Sequence, residues 1–332
     1  MKRAVVSLAL LFCLEGVAAD RLAGQAADLH AVTVSGLSSG GFMAIQFQVA
    51  HSSRVKGVAA LAAGPYYCAQ GSLWSAYYNC MTPAGWTPLP SAEELKARAE
   101  RFAAEGRIDP TANLAATRLW FFSGSRDRTV ERPVVEAAAQ FYARFGAKNI
   151  PIHSRPAGHA MVTETAGTAC GTTEPPFIND CDYDAAGALL AQLVGALKPA
   201  AAKESGRLIA FDQKPFADGN AYSLSMADTG YAYVPAECAS ERCAVHVVFH
   251  GCRQSAEAVG ERFVREAGYN RWADTNRLII LYPQTIARYF YVYNPRGCWD
   301  WWGYTGAQYA TKAAPQIRAV FAMLQRLAEP RK

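Results

Sequence analysis

Residues Gly36-Leu37-Ser38-Ser39-Gly40 form a G-x-S-x-G pentapeptide between the apolar run Ala31 to Ser35 and a helix-forming stretch near Gly41 to Ala50. That position constrains the fold more than the letters do. A sharp strand-to-helix turn lifts the central serine hydroxyl out of a sheet, and only glycine tolerates the crowding on each side. The frame makes Ser38 the candidate nucleophile, with Ser39 one residue out of register. The backbone N–H of Ser39 then points into the site as an oxyanion donor. A Ser/Gly turn opening an ordinary helix would use the same letters, but here both flanks are right for an elbow.

The rest of the chain supplies the sheet such an elbow needs. Val58 to Ala63, Leu119 to Phe122 and Ile150 to Ser154 read as strands. Ala92 to Glu105, Arg132 to Phe145 and Ala185 to Leu197 read as helices, the first from its Ala, Glu, Lys and Arg content. Beyond a Pro, Ala, Lys, Glu and Ser stretch at Lys198 to Gly206, Gly230 to Val234, Val245 to His250 and Arg277 to Tyr282 read as strands. A long helical stretch precedes the last of these, and a final helix is expected over Ala313 to Leu327. Alternation of this kind predicts an α/β fold, with a mostly parallel central sheet covered by helices on both faces.

Lys2 and Arg3, the apolar run Ala4 to Leu14, and Val17-Ala18-Ala19 before Asp20 form the three-part pattern of a secretory leader. The apolar run is too short to span a bilayer as an anchor. The reading is therefore a signal peptide over residues 1–19, export to the periplasm or beyond, and no membrane anchor. Of nine cysteines, Cys13 falls in the leader, and an even number in an exported chain reads as disulfides. Eight cysteines allow about 105 connectivities. Proximity favours Cys68–Cys80, Cys170–Cys181 and Cys238–Cys243, which leaves Cys252–Cys298. The absence of any C-x-x-C pair argues against zinc. A formal net charge of +5 without a basic run or arm argues against nucleic acid. At 51% hydrophobic and 18% charged residues, disordered, coiled-coil and multi-span membrane chains are excluded.

A serine nucleophile needs a base, and the base needs an orienting carboxylate. In α/β-hydrolases these follow in the order Ser, Asp or Glu, His. Asp127 in Gly124-Ser125-Arg126-Asp127 follows the strand Leu119 to Phe122, and His159 follows the next strand. Both sit at carboxyl ends of successive strands, on the rim that carries Ser38. His153 lies inside a strand and reads as structural. Asp180, Asp182 and Asp184 come after the histidine and break the order. His51, ending the elbow helix, reads as a solvated cap.

One feature departs from the ordinary order. The strands carrying the oxyanion loop normally precede the nucleophile, yet only Asp20 to Ser35 stands between the expected mature start and Gly36. Val247-Val248-Phe249-His250-Gly251-Cys252, in the C-terminal half, has the look of that strand and loop. The simplest account is a circular permutation within one domain, residues 20–332, with its seam near 198–206. His246 and His250 could form a metal pair, but no acidic partner of the H-E-x-x-H kind accompanies them.

Several stretches then closely resemble the fungal, single-domain, circularly permuted poly(3-hydroxybutyrate) depolymerases. They are Val34 to Met43, Ala63 to Cys68, Gly124 to Asp127, His250 to Ser255, Gly268 to Asn276 and Gly297 to Trp301. The resemblance runs in order along the mature chain and departs mainly at Thr82 to Thr117 and Ala287 to Pro295, which border the expected cleft. It implies Ser38 as nucleophile, Asp127 as acid and His159 as base. It also implies oxyanion N–H groups from Ser39 and Cys252, and substrate-contacting indoles at Trp301 and Trp299. All eight remaining cysteines fall at family positions. No metal or cofactor is expected.

The function this implies is an exported serine esterase cleaving poly(3-hydroxybutyrate) or its oligomers, acting as a monomer on a polyester or oligoester. The alternative within the enzyme class is a carboxylesterase for plant-wall or other small acyl esters. A non-catalytic polymer-binding protein is the reading from another class, and an intact Ser38, Asp127 and His159 set argues against it. Tyr289, Phe290, Tyr291, Tyr293, Trp299, Trp301, Trp302 and Tyr304 crowd one segment of a chain that is 11% aromatic. A loop rich in Asn, Pro and Gly cannot bury them all. About half are expected in the core, and the rest on a binding surface.

Overall fold

Asp28–Leu37 forms the central strand β1, whose last six residues are buried. The computed structural model describes residues 19–331. Except for Ala19, the expected leader and Cys13 lie outside those residues. The other strands are β2 (Val55–Leu61), β3 (Arg118–Phe122), β4 (Ile152–His153), β5 (Met161–Thr163), β6 (Thr168–Ala169), β7 (Ile178–Asp180), β8 (Arg207–Asp212), β9 (Thr229–Val234), β10 (Ala244–Phe249) and β11 (Leu278–Tyr282). The helices are α1 (Ser39–Ala50), α2 (Leu73–Tyr78), α3 (Ala92–Ala104), α4 (Arg132–Ala143), α5 (Ala185–Val194), α6 (Ala256–Val259), α7 (Arg262–Glu266), α8 (Tyr269–Asn276) and α9 (Pro315–Ala328).

The main sheet has eight strands in the order β4-β3-β2-β1-β10-β11-β9-β8. It is parallel from β4 through β11, and β9 and β8 continue it antiparallel. Its interior strands are rich in Val, Ile, Leu, Ala and Phe and buried on both faces, with the polar side chains of Thr33, Ser35 and His246 paired among themselves. Helix α1 lies against β1, β2 and β10, α5 against β2 and β3, and α8 against β11 and β9.

The permutation is visible at the centre of this sheet. Strand β10, from the C-terminal half, pairs directly with β1, placing Gly36 opposite Phe249. Residues 195–206 carry no strand or helix and join α5 to β8, so both halves of the chain build one sheet. A buried polar network pins β1 to β10. The two ring nitrogens of His246 bond Thr33 Oγ1 and Ser35 Oγ, each at 2.8 Å, and Ser35 Oγ also meets the Tyr269 hydroxyl at 2.8 Å. Burial lowers the His246 pKa to about 3, keeping the ring neutral. This network, rather than a metal, accounts for His246.

Three expectations change. Strand β8 is not visible in the sequence because it is a mostly solvent-facing edge strand without clean alternation. The expected long helix before β11 is three short ones, broken at Gly260 and Gly268, which adopt φ values of 63° and 91°. A separate small parallel sheet, in the order β5-β7-β6, follows His159. The four disulfides join the pairs that proximity favoured.

Candidate active site

Ser38 sits between β1 and α1 with φ 56° and ψ −125°, a strained backbone for a residue with a side chain. The backbone is closely packed on both sides of it. A Cβ at Gly36 would run into the Gly40 carbonyl, and one at Gly40 into the carbonyls of Phe249 and His250. Gly40 thus lets α1 start against the end of β10. Ser39 is the first residue of α1, so its N–H has no partner within the helix.

Asp127 and His159 come together at the ends of β3 and β4. Asp127 Oδ2 meets His159 Nδ1 at 2.7 Å, while Oδ1 accepts the N–H groups of Thr129 at 2.7 Å and Val130 at 3.0 Å. The carboxylate is therefore fixed on both oxygens, and both side chains are buried. His159 is held by its own N–H, which donates to Thr173 Oγ1 at 2.9 Å, and Gly158 N–H donates to the Cys170 carbonyl at 2.8 Å. The Cys170–Cys181 bridge closes the segment that carries Thr173. Ser38 and His159 line one narrow cavity with Thr129 and Cys252. Among the described residues no hydrogen bond joins the Ser38 hydroxyl to the imidazole, a contact that often tightens only when substrate binds.

The turn after β10 is held from three sides. His250 Nδ1 donates to the Gly251 carbonyl at 2.7 Å, and its Nε2 accepts the Thr285 N–H at 3.1 Å. Burial lowers the ring's pKa to about 4, so His250 is a neutral strut. Gly251 N–H donates to Gln254 Oε1 at 2.7 Å, and Gln254 Nε2 donates to the carbonyls of Phe177 and Pro176 at 2.8 and 3.1 Å. Gln254 thereby ties this turn to the segment following His159, a link sequence reasoning missed. Cys252 is bridged to Cys298, with 4.2 Å between Cα atoms.

Ser38 opens onto an apolar cleft of about 530 Å³ lined by Phe42, Trp74, Tyr77, Trp301 and Trp302 among others. Trp301 stacks on Phe42 with ring centres 4.0 Å apart. Trp299 corrects the sequence reading. It is 0% exposed, packs edge-on against Phe249 at 5.0 Å and does not line the cleft, so it serves the core. The buried Asp300 carboxylate holds the turn after Trp301 and Trp302 by accepting the N–H groups of Gly303, Tyr304 and Thr305. Tyr289, Phe290, Tyr291 and Tyr293 are exposed, the other four aromatics of that segment buried or half-buried.

A second apolar bank on α2, Leu73 with the aromatics Trp74 and Tyr77, also lines the cleft and was not foreseen. The signal was available: aromatics at positions 74, 77 and 78 share one face of a six-residue helix that buries only Ala76. His51 also departs from expectation. It is buried at 8% exposure, stacked on Phe321 at 4.1 Å, with Nε2 lacking a partner and its pKa lowered by burial to about 4. His153 stacks on Trp120 in the sheet, and Asp184 caps α5 and accepts the Trp272 indole N–H.

Residues 229–329 match the family model described as Esterase PHB depolymerase. A polyhydroxybutyrate depolymerase from Talaromyces funiculosus is 35% identical, covering 94% of this chain and 93% of its own length. The chain belongs to the PHB depolymerase family. A poly(3-hydroxybutyrate) depolymerase from Delftia acidovorans is 40% identical across 98% of this chain, which spans 66% of that relative's length. The crystal structure of the PHB depolymerase from Penicillium funiculosum superposes with a TM-score of 0.85 at 33% identity, covering 93% of this chain and 98% of that one. A PHB depolymerase variant complexed with R3HB trimer matches equally well. The fold is thus the circularly permuted α/β-hydrolase fold of PHB depolymerases.

Proposed function

We propose that this chain is an exported serine esterase that hydrolyses poly(3-hydroxybutyrate) or its oligomers. The observation that carries the reading is the 2.7 Å contact between His159 Nδ1 and a doubly anchored Asp127, at a cavity shared with the strained Ser38. Family membership and the likeness to a depolymerase complexed with R3HB trimer support the substrate class.

In this scheme Asp127 accepts the Nδ1–H of His159 and fixes its tautomer, leaving Nε2 free to take the Ser38 proton. Ser38 Oγ attacks the ester carbonyl, and the N–H groups of Ser39 and Cys252 stabilise the tetrahedral oxyanion. His159 returns the proton to the leaving alcohol. Water, deprotonated by His159 in turn, releases the acyl group from Ser38. Every role falls to the chain's own groups. Trp301 stacked on Phe42 forms a rigid apolar wall for the methyl-bearing units, and the exposed aromatics flanking the cleft provide area for a solid polyester.

Residues 20–332 form the catalytic domain in this reading, acting as a monomer after removal of a leader at residues 1–19. Four disulfides support delivery to an oxidising compartment, periplasmic or extracellular. Among the described residues no helix is long and apolar enough to cross a membrane. The test is incubation with a turbid poly(3-hydroxybutyrate) suspension, the soluble (R)-3-hydroxybutyrate trimer and a p-nitrophenyl ester, with product analysis of each. Release of 3-hydroxybutyrate from polymer or trimer is expected. Turnover of the p-nitrophenyl ester alone would replace this reading with that of a carboxylesterase for other small esters.

A further inference from the structure

The cleft has two limbs that meet at Ser38, and they differ in chemistry. The wide limb, about 530 Å³, is lined mainly by apolar and aromatic side chains and does not include His159. The narrow limb, about 70 Å³, is lined by His159, Thr129 and Thr173 and by two arginines, Arg253 and Arg296. Arg253 lines only the narrow limb, whereas Arg296 lines both.

The two arginines are placed together by the fold. The Cys252–Cys298 bridge brings their segments into contact, and Arg253 N–H donates to the Arg296 carbonyl at 2.7 Å. Arg253 adopts φ 56°, and its guanidinium lies 5.3 Å from the centre of the Phe177 ring. Among the described residues neither guanidinium joins an ion pair within 4.0 Å. Both arginines line the narrow limb without a carboxylate partner, so each can offer an arriving carboxylate charge-assisted hydrogen bonds.

Ester chemistry says which end of the substrate reaches them. His159 protonates the leaving alkoxide, so the leaving fragment lies on the His159 side of Ser38. In a 3-hydroxyalkanoate chain the scissile C–O bond leaves its oxygen on the fragment that continues to the carboxyl terminus. The hydroxyl-terminal fragment stays on Ser38 as the acyl group and extends into the wide limb. We propose that Arg253 and Arg296 bind the terminal carboxylate of an oligoester whose last unit occupies the narrow limb, so that short free-acid chains are cut next to their carboxyl end. This rests on the reading of the site as a 3-hydroxyalkanoate esterase. The leaving fragment takes its proton from His159 and departs as a 3-hydroxy acid, with water completing deacylation. Interior esters of a long polymer present no carboxylate and gain nothing from the pair.

The test compares the (R)-3-hydroxybutyrate trimer as free acid and as its methyl ester, following cleavage of the inter-monomer esters by chromatography. Wild-type protein is expected to favour the free acid in kcat/KM by about tenfold, mostly through KM, with the preference shrinking at high salt. In the Arg253→Gln/Arg296→Gln double variant the ratio of the two kcat/KM values should fall to about one. Using the ratio cancels any general loss of activity in the variant, and partial recovery in Arg253→Lys/Arg296→Lys would support a charge role. A wild-type ratio near one, or a ratio unchanged by the double substitution, overturns the proposal while leaving the esterase reading standing. Hydrolysis of neither trimer by the wild type overturns the proposal, and failure to release 3-hydroxybutyrate from the polymer as well overturns the 3-hydroxyalkanoate esterase reading itself.

Discussion

Asp127 and His159 show how much of the proposed chemistry depends on single hydrogen bonds. Asp127 has both oxygens engaged, one by His159 and the other by two backbone N–H groups. Asp127→Asn keeps the shape but offers an amide N–H or a neutral acceptor where a carboxylate held the tautomer. It should lower kcat by about 10⁴-fold with little change in KM, measured by steady-state kinetics on the trimer. Activity within a few-fold of wild type would remove Asp127 from the triad. Trp301 is a different kind of residue, almost buried yet lining the cleft. Trp301→Ala should reduce kcat/KM on the trimer at least about tenfold more than on a p-nitrophenyl ester, because burying an indole against substrate is worth about 1.5–3 kcal/mol. Equal losses on both substrates would make Trp301 a structural residue, as Trp299 is.

At the scale of elements, the site lies where loops from both halves of the chain converge. The turn after β10 carries Cys252, and its bridge to Cys298 closes a loop with sequence separation 46. Removing it through Cys252→Ser/Cys298→Ser should cost about 4 kcal/mol of stability in the chain-entropy model. It should also lower kcat, since the turn loses one of its anchors. Urea unfolding and trimer kinetics on the same preparation check both effects, and a less stable variant with unchanged kcat would show that Gln254 and His250 hold the turn unaided. What the sequence made legible was local in origin. The elbow at Gly36 to Gly40, the interior strands and α3 all carry their signals within a few residues. Chain order and position after successive strands selected Asp127 and His159, and the family resemblance implied the same pair. Edge strand β8 and the inward turn of Trp299 depend on partners distant in sequence, whereas the breaks at Gly260 and Gly268 are local glycine turns that the helical composition around them hid. In an irregular segment no periodicity says which way a side chain points, so Trp299 and Trp301 looked alike. His51 at the end of α1 was misread because Phe321 on α9, distant in sequence, covers it.

For the whole molecule, buried histidines set an acid limit. His51, His246 and His250 are held by burial at pKa values of about 4, 3 and 4, against 6.5 for an exposed ring. The unfolded chain therefore binds more protons below pH 6.5. The stability these residues contribute is complete above that value and is lost as pH falls toward the folded pKa values, at about 1.4 kcal/mol per pH unit for each ring. The urea midpoint should therefore drop between about pH 7 and about pH 5, and a flat midpoint over that range would show that the rings do not resist protonation. The central claim is that one permuted sheet brings Ser38, His159 and Asp127 together to hydrolyse a polyester through an acyl-enzyme. Its most direct test is Ser38→Ala, a small change at the strained elbow, assayed on the trimer with near-UV circular dichroism as the control for folding. The expected result is a native spectrum with turnover reduced by at least about 10⁴-fold. A natively folded Ser38→Ala variant that hydrolyses the trimer at the wild-type rate would contradict it.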